Sequence, residues 1–245
     1  MKKVLVVLIL PLLLTACNFS KSVKKDLITG LTSSGNVLSC DDIYLEVNKE
    51  KVNRNVFTYG EKFYLYFNDI KGFAQENGKT FPGMRLLVTN EKGEEVFKVD
   101  DLHADLSDGV DYSPLLLYAD VIVAKPMHSG LQYHLDIHIW DKKGNGTFDV
   151  RLPFTVRPND KIAVEAKNIT YTEIYLYSEN QDQAITDNKI KYDDNIYVIL
   201  EGLEGFTVEN GLVYPGLSLV LNDSEGSSIL NYENLFTEYS ENGVD

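Results

Sequence analysis

The chain has 245 residues, a formal net charge of −14 and only two cysteines. Hydrophobic residues make up 44% and charged residues 24%, the balance of a folded globular protein rather than a disordered one. An excess of 37 Asp and Glu over 23 Lys and Arg argues against a nucleic-acid partner. It argues equally against docking on anionic lipid through a basic patch.

Lys2 and Lys3 form a short positive start, and Val4 to Leu14 form an apolar stretch broken only by Pro11. A spanning helix needs about 20 apolar residues, so this stretch has instead the size of a signal-peptide core. Leu14-Thr15-Ala16-Cys17 follows at once. It resembles the lipobox of bacterial lipoproteins, a branched apolar residue, two small residues and a cysteine. The resemblance implies that residues 1–16 are a signal peptide cut before Cys17, and that the Cys17 thiol carries a diacylglycerol. The membrane is then a partner through an N-terminal lipid anchor. Asn18, where a retained lipoprotein of some bacteria has aspartate, implies the outer membrane and leaves the periplasmic or surface face open.

Residues 17–36, rich in Ser, Lys, Thr and Gly, read as a flexible tether. Losing Lys2 and Lys3 with the leader takes the net charge from −14 to −16. Such a surface is repelled by anionic lipid, so the acyl chains hold the protein at the membrane. With Cys17 lipidated, Cys40 has no disulfide partner and reads as a small buried hydrophobe.

An internal repeat organises the rest. The stretch from Tyr59 aligns without gaps with the stretch from Tyr192 at an offset of 133, with thirteen identities up to Ser107. They include Gly72-Phe73 with Gly205-Phe206, Glu76-Asn77-Gly78 with Glu209-Asn210-Gly211, and Pro82-Gly83 with Pro215-Gly216. Upstream, Ile43-Tyr44-Leu45 matches Ile174-Tyr175-Leu176 after a two-residue length change. Asn-Gly predicts a tight turn with positive φ, and Pro-Gly a type II turn. Phe63, Leu65 and Phe67 share one face and match Ile196, Val198 and Leu200, while Met84, Leu86 and Val88 match Leu217, Leu219 and Leu221. This period of two predicts half-buried strands with those residues in the core.

The first copy continues through residues 112–157, which predict two long strands. Pairing Trp140 with Thr147 sets Ile139 against Phe148, Ile137 against Val150, Leu135 against Leu152 and Tyr133 against Phe154. On the opposite face the same register sets His138 against Asp149 and Asp136 against Arg151. The run from Gly130 through Tyr133, Asp141 and Gly144 to Phe154-Thr155-Val156 resembles the last hairpin of bacterial immunoglobulin-like and PKD-like modules. Two residues separate Gly130 from Tyr133 where that pattern has one, and the Cys…Trp…Cys framework of antibody domains is absent. The second copy stops at Asp245, the counterpart of Asp111, and is expected to be the front part of a longer repeat.

The fold expected is therefore all-β, with tandem immunoglobulin-like antiparallel sandwiches over 37–158 and 159–245, the second incomplete. Two residue groups carry candidate chemistry. His134, Asp136 and His138 alternate onto one strand face, where they offer metal ligands, joined by His103 or His128; the alternative is cross-strand pairing. Tyr64 and Tyr66, with Tyr175 and Tyr177 in the second copy, offer aromatic rings for stacking on sugars. No Gly-x-Ser-x-Gly elbow, His-Glu-x-x-His helix or P-loop occurs. The expected function is a lipid-anchored, non-enzymatic binding or scaffold module of the bacterial envelope, with no cofactor and an envelope protein or glycan as partner. The alternatives are a glycan-binding lipoprotein of a polysaccharide-uptake system and a metal-binding envelope protein.

Overall fold

The computed structural model describes residues 21–111 and 115–244. The leader and Cys17 lie outside them. Strands run from Lys21 onward, the long ones of the first repeat built on alternating apolar and polar residues. In chain order these are β1 (Lys21–Lys25), β2 (Thr32–Asn36), β3 (Ser39–Val47), β4 (Glu50–Val52), β5 (Val56–Thr58), β6 (Lys62–Lys71) and β7 (Lys79–Thr80). There follow β8 (Pro82–Asn90), β9 (Glu95–Val99), β10 (Val110–Asp111), β11 (Leu116–Ile122), β12 (Gln132–Asp141) and β13 (Thr147–Arg157). The second repeat forms β14 (Glu173–Ser178), β15 (Gln183–Ile185), β16 (Ile196–Glu201), β17 (Leu219–Asn222), β18 (Ser228–Tyr232) and one short helix, α1 (Thr237–Asn242). The class is all-β, and among the described residues no helix is long and apolar enough to cross a membrane.

Two sheets make the sandwich of the first repeat. One runs β1-β2-β13-β12-β8-β9, with β5 parallel to the end of β13; the other runs β11-β6-β3-β4. Their inner faces carry Phe63, Leu65 and Phe67 from β6, Met84, Leu86 and Val88 from β8, and Leu135, Ile137 and Ile139 from β12, each at most 1% exposed. Phe63 meets Phe154 across the sheets edge-on, centroids 5.9 Å apart. Burying one such side chain contributes about 1.5–3 kcal/mol, so apolar burial between the sheets stabilises this sandwich. The expected hairpin register is present. Asp141 N–H donates to Gly146 O at 2.9 Å, and both polar pairs across β12 and β13 form.

Residues 21–36 correct the expected tether. Lys21–Lys25 pairs with Thr32–Asn36 as a hairpin, and β2 pairs with β13. The Ser and Gly content that reads as a linker serves close packing: a Cβ on Gly35 would lie 2.1 Å from Leu38 O and 3.0 Å from the Phe148 ring. The hairpin also covers an edge that β13 would otherwise leave unpaired.

Five strands of the second repeat, β14 to β18, pair in the registers of β3, β4, β6, β8 and β9. Val47 pairs with Phe63 and Ser178 with Ile196; Leu45 pairs with Val52 and Leu176 with Ile185; Leu86 pairs with Val99 and Leu219 with Tyr232. Even the register irregularity recurs, between Val88 and Thr89 and between Leu221 and Asn222. Asn77-Gly78 and Asn210-Gly211 all have positive φ and close tight hairpins, as the sequence implies. Gly72 and Gly205 also have positive φ, and a Cβ there would strike Val37 O at 2.4 Å and Asn168 O at 2.8 Å respectively. Val37 and Asn168 are themselves at positive φ, so this contact between segments is duplicated too. The Pro-Gly expectation is corrected. Pro82-Gly83 is not a turn but the start of β8, and Gly83 is needed because a Cβ would lie 2.1 Å from the Trp140 ring.

Contacts group the described residues into two compact units. Residues up to Asn55, with Phe63–Asp120 and Tyr133–Phe154, form one; Val56–Lys62, Val121–Gln132 and the chain from Thr155 form the other. The second unit thus contains pieces of the first repeat as well as the second repeat.

Candidate functional site

The outer face of the four-stranded sheet carries a cluster of four aromatic side chains. On β6 the inward turn of Phe63, Leu65 and Phe67 forces Tyr64 and Tyr66 outward; on β3 and β11 the same alternation turns out Tyr44 and Tyr118. Register places Tyr44 opposite Tyr66, with centroids 5.1 Å apart and the rings nearly parallel. Tyr64 stacks beside Tyr66 at 5.9 Å, and Tyr118 tilts against both at 6.0 and 5.6 Å. Four rings on three neighbouring strands thus form one surface. Tyr118 continues it into a groove of about 540 Å³ that also takes in Leu106, Leu116 and Asp120.

Charged groups frame these rings. Tyr66 Oη donates to Glu46 Oε1 at 3.5 Å, and Lys51 Nζ sits 3.6 Å from the Tyr44 centroid while pairing with Asp42 at 3.6 Å. Partial burial, then the Glu46 carboxylate, raises the Tyr66 phenol above its ordinary value, so it stays protonated as a donor. Flat ring faces carry negative charge and attract the weakly positive C–H bonds of a pyranose face. Phenol and carboxylate edges supply donors and acceptors for hydroxyls. Of the expected tyrosines, Tyr64 and Tyr66 belong here. Sequence reasoning missed Tyr44 and Tyr118, whose signal is outward alternation in the neighbouring strands.

Tyr175 and Tyr177 do not form such a surface. Tyr175 Oη donates to Glu201 Oε1 at 3.1 Å, and its ring packs against Tyr59 at 5.5 Å. Tyr59 donates to the other oxygen of Glu201 and accepts from Lys125 N–H at 3.1 Å; burial, opposed by that N–H, raises its phenol strongly. Tyr177 donates to Asp182. Nearby, Glu173 is buried and accepts from Ser129 N–H at 2.7 Å and from Ser129 Oγ at 2.6 Å, with His128 Nδ1 3.5 Å away.

His134, Asp136 and His138 share a strand face, as alternation requires, but do not converge. Arg151 holds Asp136 with two hydrogen bonds, at 2.7 and 2.9 Å. His138 Nδ1 lies 2.6 Å from Asp149 Oδ1, and its ring stacks on Trp140 at 5.7 Å. Both pairs line an open groove of about 590 Å³ on the outer face of the larger sheet, with Arg85 and Ser33. Among the described residues no group of three metal-ligating side chains comes together. His103 lies apart beside Asp101. That carboxylate accepts from Met84 N–H, His103 N–H and Lys142 Nζ, and despite a burial penalty these bonds hold it below the ordinary carboxylate value. Cys40 is buried and free, its Sγ facing Asp42 O and Asn68 O, and burial pushes the thiol up to about 11.

No family model matches the chain, and no curated protein matches it. Among solved structures it is similar to one described as the C-terminal domain of Wzt. That likeness has 10% identity and a TM-score of 0.34, over 60% of this chain and 89% of that one.

Proposed function

We propose that the protein is a lipid-anchored, non-enzymatic binding module of the bacterial cell envelope, and that its tyrosine surface takes a carbohydrate. The observation that carries this reading is the cluster of Tyr44, Tyr64, Tyr66 and Tyr118 on the outer face of the four-stranded sheet. Rings on rigid strands lose little entropy on binding, and a flat surface suits a sugar face better than a buried apolar ligand. Asp42, Glu46 and Asp120 on or beside this face disfavour a uronate or phosphate, so the ligand class is a neutral or amino-sugar oligosaccharide. Cys17 supplies the anchor at the outer membrane, for which the lipobox is the support.

A glycan array followed by calorimetry tests the ligand. Binding should fall at least about tenfold in Tyr66→Ala, a loss of about 1.4 kcal/mol, and remain in Tyr177→Ala. Silence of the folded protein across neutral and amino-sugar glycans would end this assignment. The anchor is checked separately by radiolabelled palmitate, which should enter the wild-type chain in bacteria and not Cys17→Ala.

A further inference from the structure

The outer face of the larger sheet is charged differently from the tyrosine face. One row of side chains crosses it at Arg85 of β8, His138 of β12, Asp149 of β13 and Ser34 of β2. The next row crosses at Leu87, Asp136, Arg151 and Thr32 of the same four strands. Cross-strand partners share a face, so both rows line the open groove of about 590 Å³, with Val23 of β1 opposite Ser34.

The charges in this groove do not cancel. Asp136 accepts two hydrogen bonds from Arg151, at 2.7 and 2.9 Å, and Asp149 Oδ1 lies 2.6 Å from His138 Nδ1. Both acids are thereby held by a basic neighbour. Arg85 is exposed, and among the described residues it makes no hydrogen bond or ion pair. In a chain of net charge −14, a groove whose acids are occupied and whose guanidinium is not is a local exception that attracts an anion. Around that guanidinium stand the hydroxyls of Thr32 and Ser34 and the apolar side chains of Val23 and Leu87. The volume falls within the range of about 300–1,000 Å³ usual for small-ligand sites.

We propose that this groove binds a hydroxylated monocarboxylate, the chemistry of a uronate residue in an acidic glycan, with its carboxylate on the Arg85 fork. A planar guanidinium matches a carboxylate with two parallel hydrogen bonds. One unpaired guanidinium offsets one negative charge. A phosphate dianion also fits the fork, but Asp136 and Asp149 repel its second charge. The hydroxyls of Thr32 and Ser34 and the remaining lone pairs of the two aspartates serve the sugar hydroxyls. Val23 and Leu87 lie against its C–H bonds. The tyrosine face, with its acids, turns uronates away, so the two outer faces of this sandwich select opposite classes of sugar. The assignment does not rest on the tyrosine surface, since the two sites share no residue.

Digalacturonate is the probe, followed by NMR on the isotope-labelled full chain. It should shift, saturably, the amide signals of Arg85, His138, Asp149 and Ser34 and leave those of Tyr44 and Tyr66 in place. Arg85 is exposed, so Arg85→Gln keeps the fold, as an unchanged melting curve will show. That variant should weaken binding about tenfold or more, whereas Tyr66→Ala should not change it. Lactose, a neutral disaccharide, should bind this groove at least about tenfold more weakly, and inorganic phosphate should not displace the digalacturonate. Absence of saturable shifts, an equal response to lactose, or unchanged affinity in Arg85→Gln overturns the proposal. Displacement by inorganic phosphate overturns it in favour of a general anion site. Shifts confined to Tyr44 and Tyr66 overturn it together with the charge preference assigned to the tyrosine face.

Discussion

His103 is an imidazole held where charge is unwelcome. Burial lowers its pKa first, the Lys142 ammonium adds to this and Asp101 opposes it, while Nδ1 is buried with no hydrogen-bond partner. A depressed folded value means that the folded state binds its proton later than the unfolded chain. Its contribution to stability is therefore fully present above the ordinary value of about 6.5 and is lost as pH falls through the lower folded value. Urea denaturation should show this loss on acidification, and His103→Phe should flatten it; an unchanged slope in that variant would refute the assignment. Cys40 should resist alkylation at pH 8 in the folded chain and react once unfolded, because a thiol near 11 is almost wholly protonated there. Gly83→Ala should destabilise by about 1–3 kcal/mol, measured by denaturant midpoint, because the Trp140 ring occupies the place of the new methyl.

Single strands carry most of what was legible in advance. The β12–β13 register follows from alternation alone, because only one offset buries Tyr133, Leu135, Ile137 and Ile139 against apolar partners while matching opposite charges outside. That same register removes Asp136 and His138 from metal chemistry, since it delivers Arg151 and Asp149 to them. The Asp136–Arg151 pair is 26% and 57% exposed, so a double-mutant cycle should give a coupling of only about 0.2–1 kcal/mol. Tyr64 and Tyr66 were visible as outward residues of β6. Their joining with Tyr44 and Tyr118 was not, because it depends on the strand order β11-β6-β3, which local pattern does not specify. Pro82-Gly83 misled for a related reason: the dipeptide suits a turn locally, but a ring from a distant strand decides its use.

Across the whole molecule, residues 21–36, whose composition suits a tether, form a structural strand pair. Removing residues 21–36 should leave the β13 edge bare and lower the melting temperature, with aggregation measurable by light scattering. If the shortened chain melts unchanged and stays monomeric, the hairpin is only an ornament on the sheet. By itself the sequence determined the strand periodicity, the duplicated Asn-Gly turns and the core face of the first repeat, because each is written in residues close together along the chain. Tertiary structure decided which outward tyrosines meet and what covers the edge of β13. Those outcomes depend on which strands become neighbours. Strand neighbours are chosen by the burial of whole faces, and no local stretch of sequence contains that information.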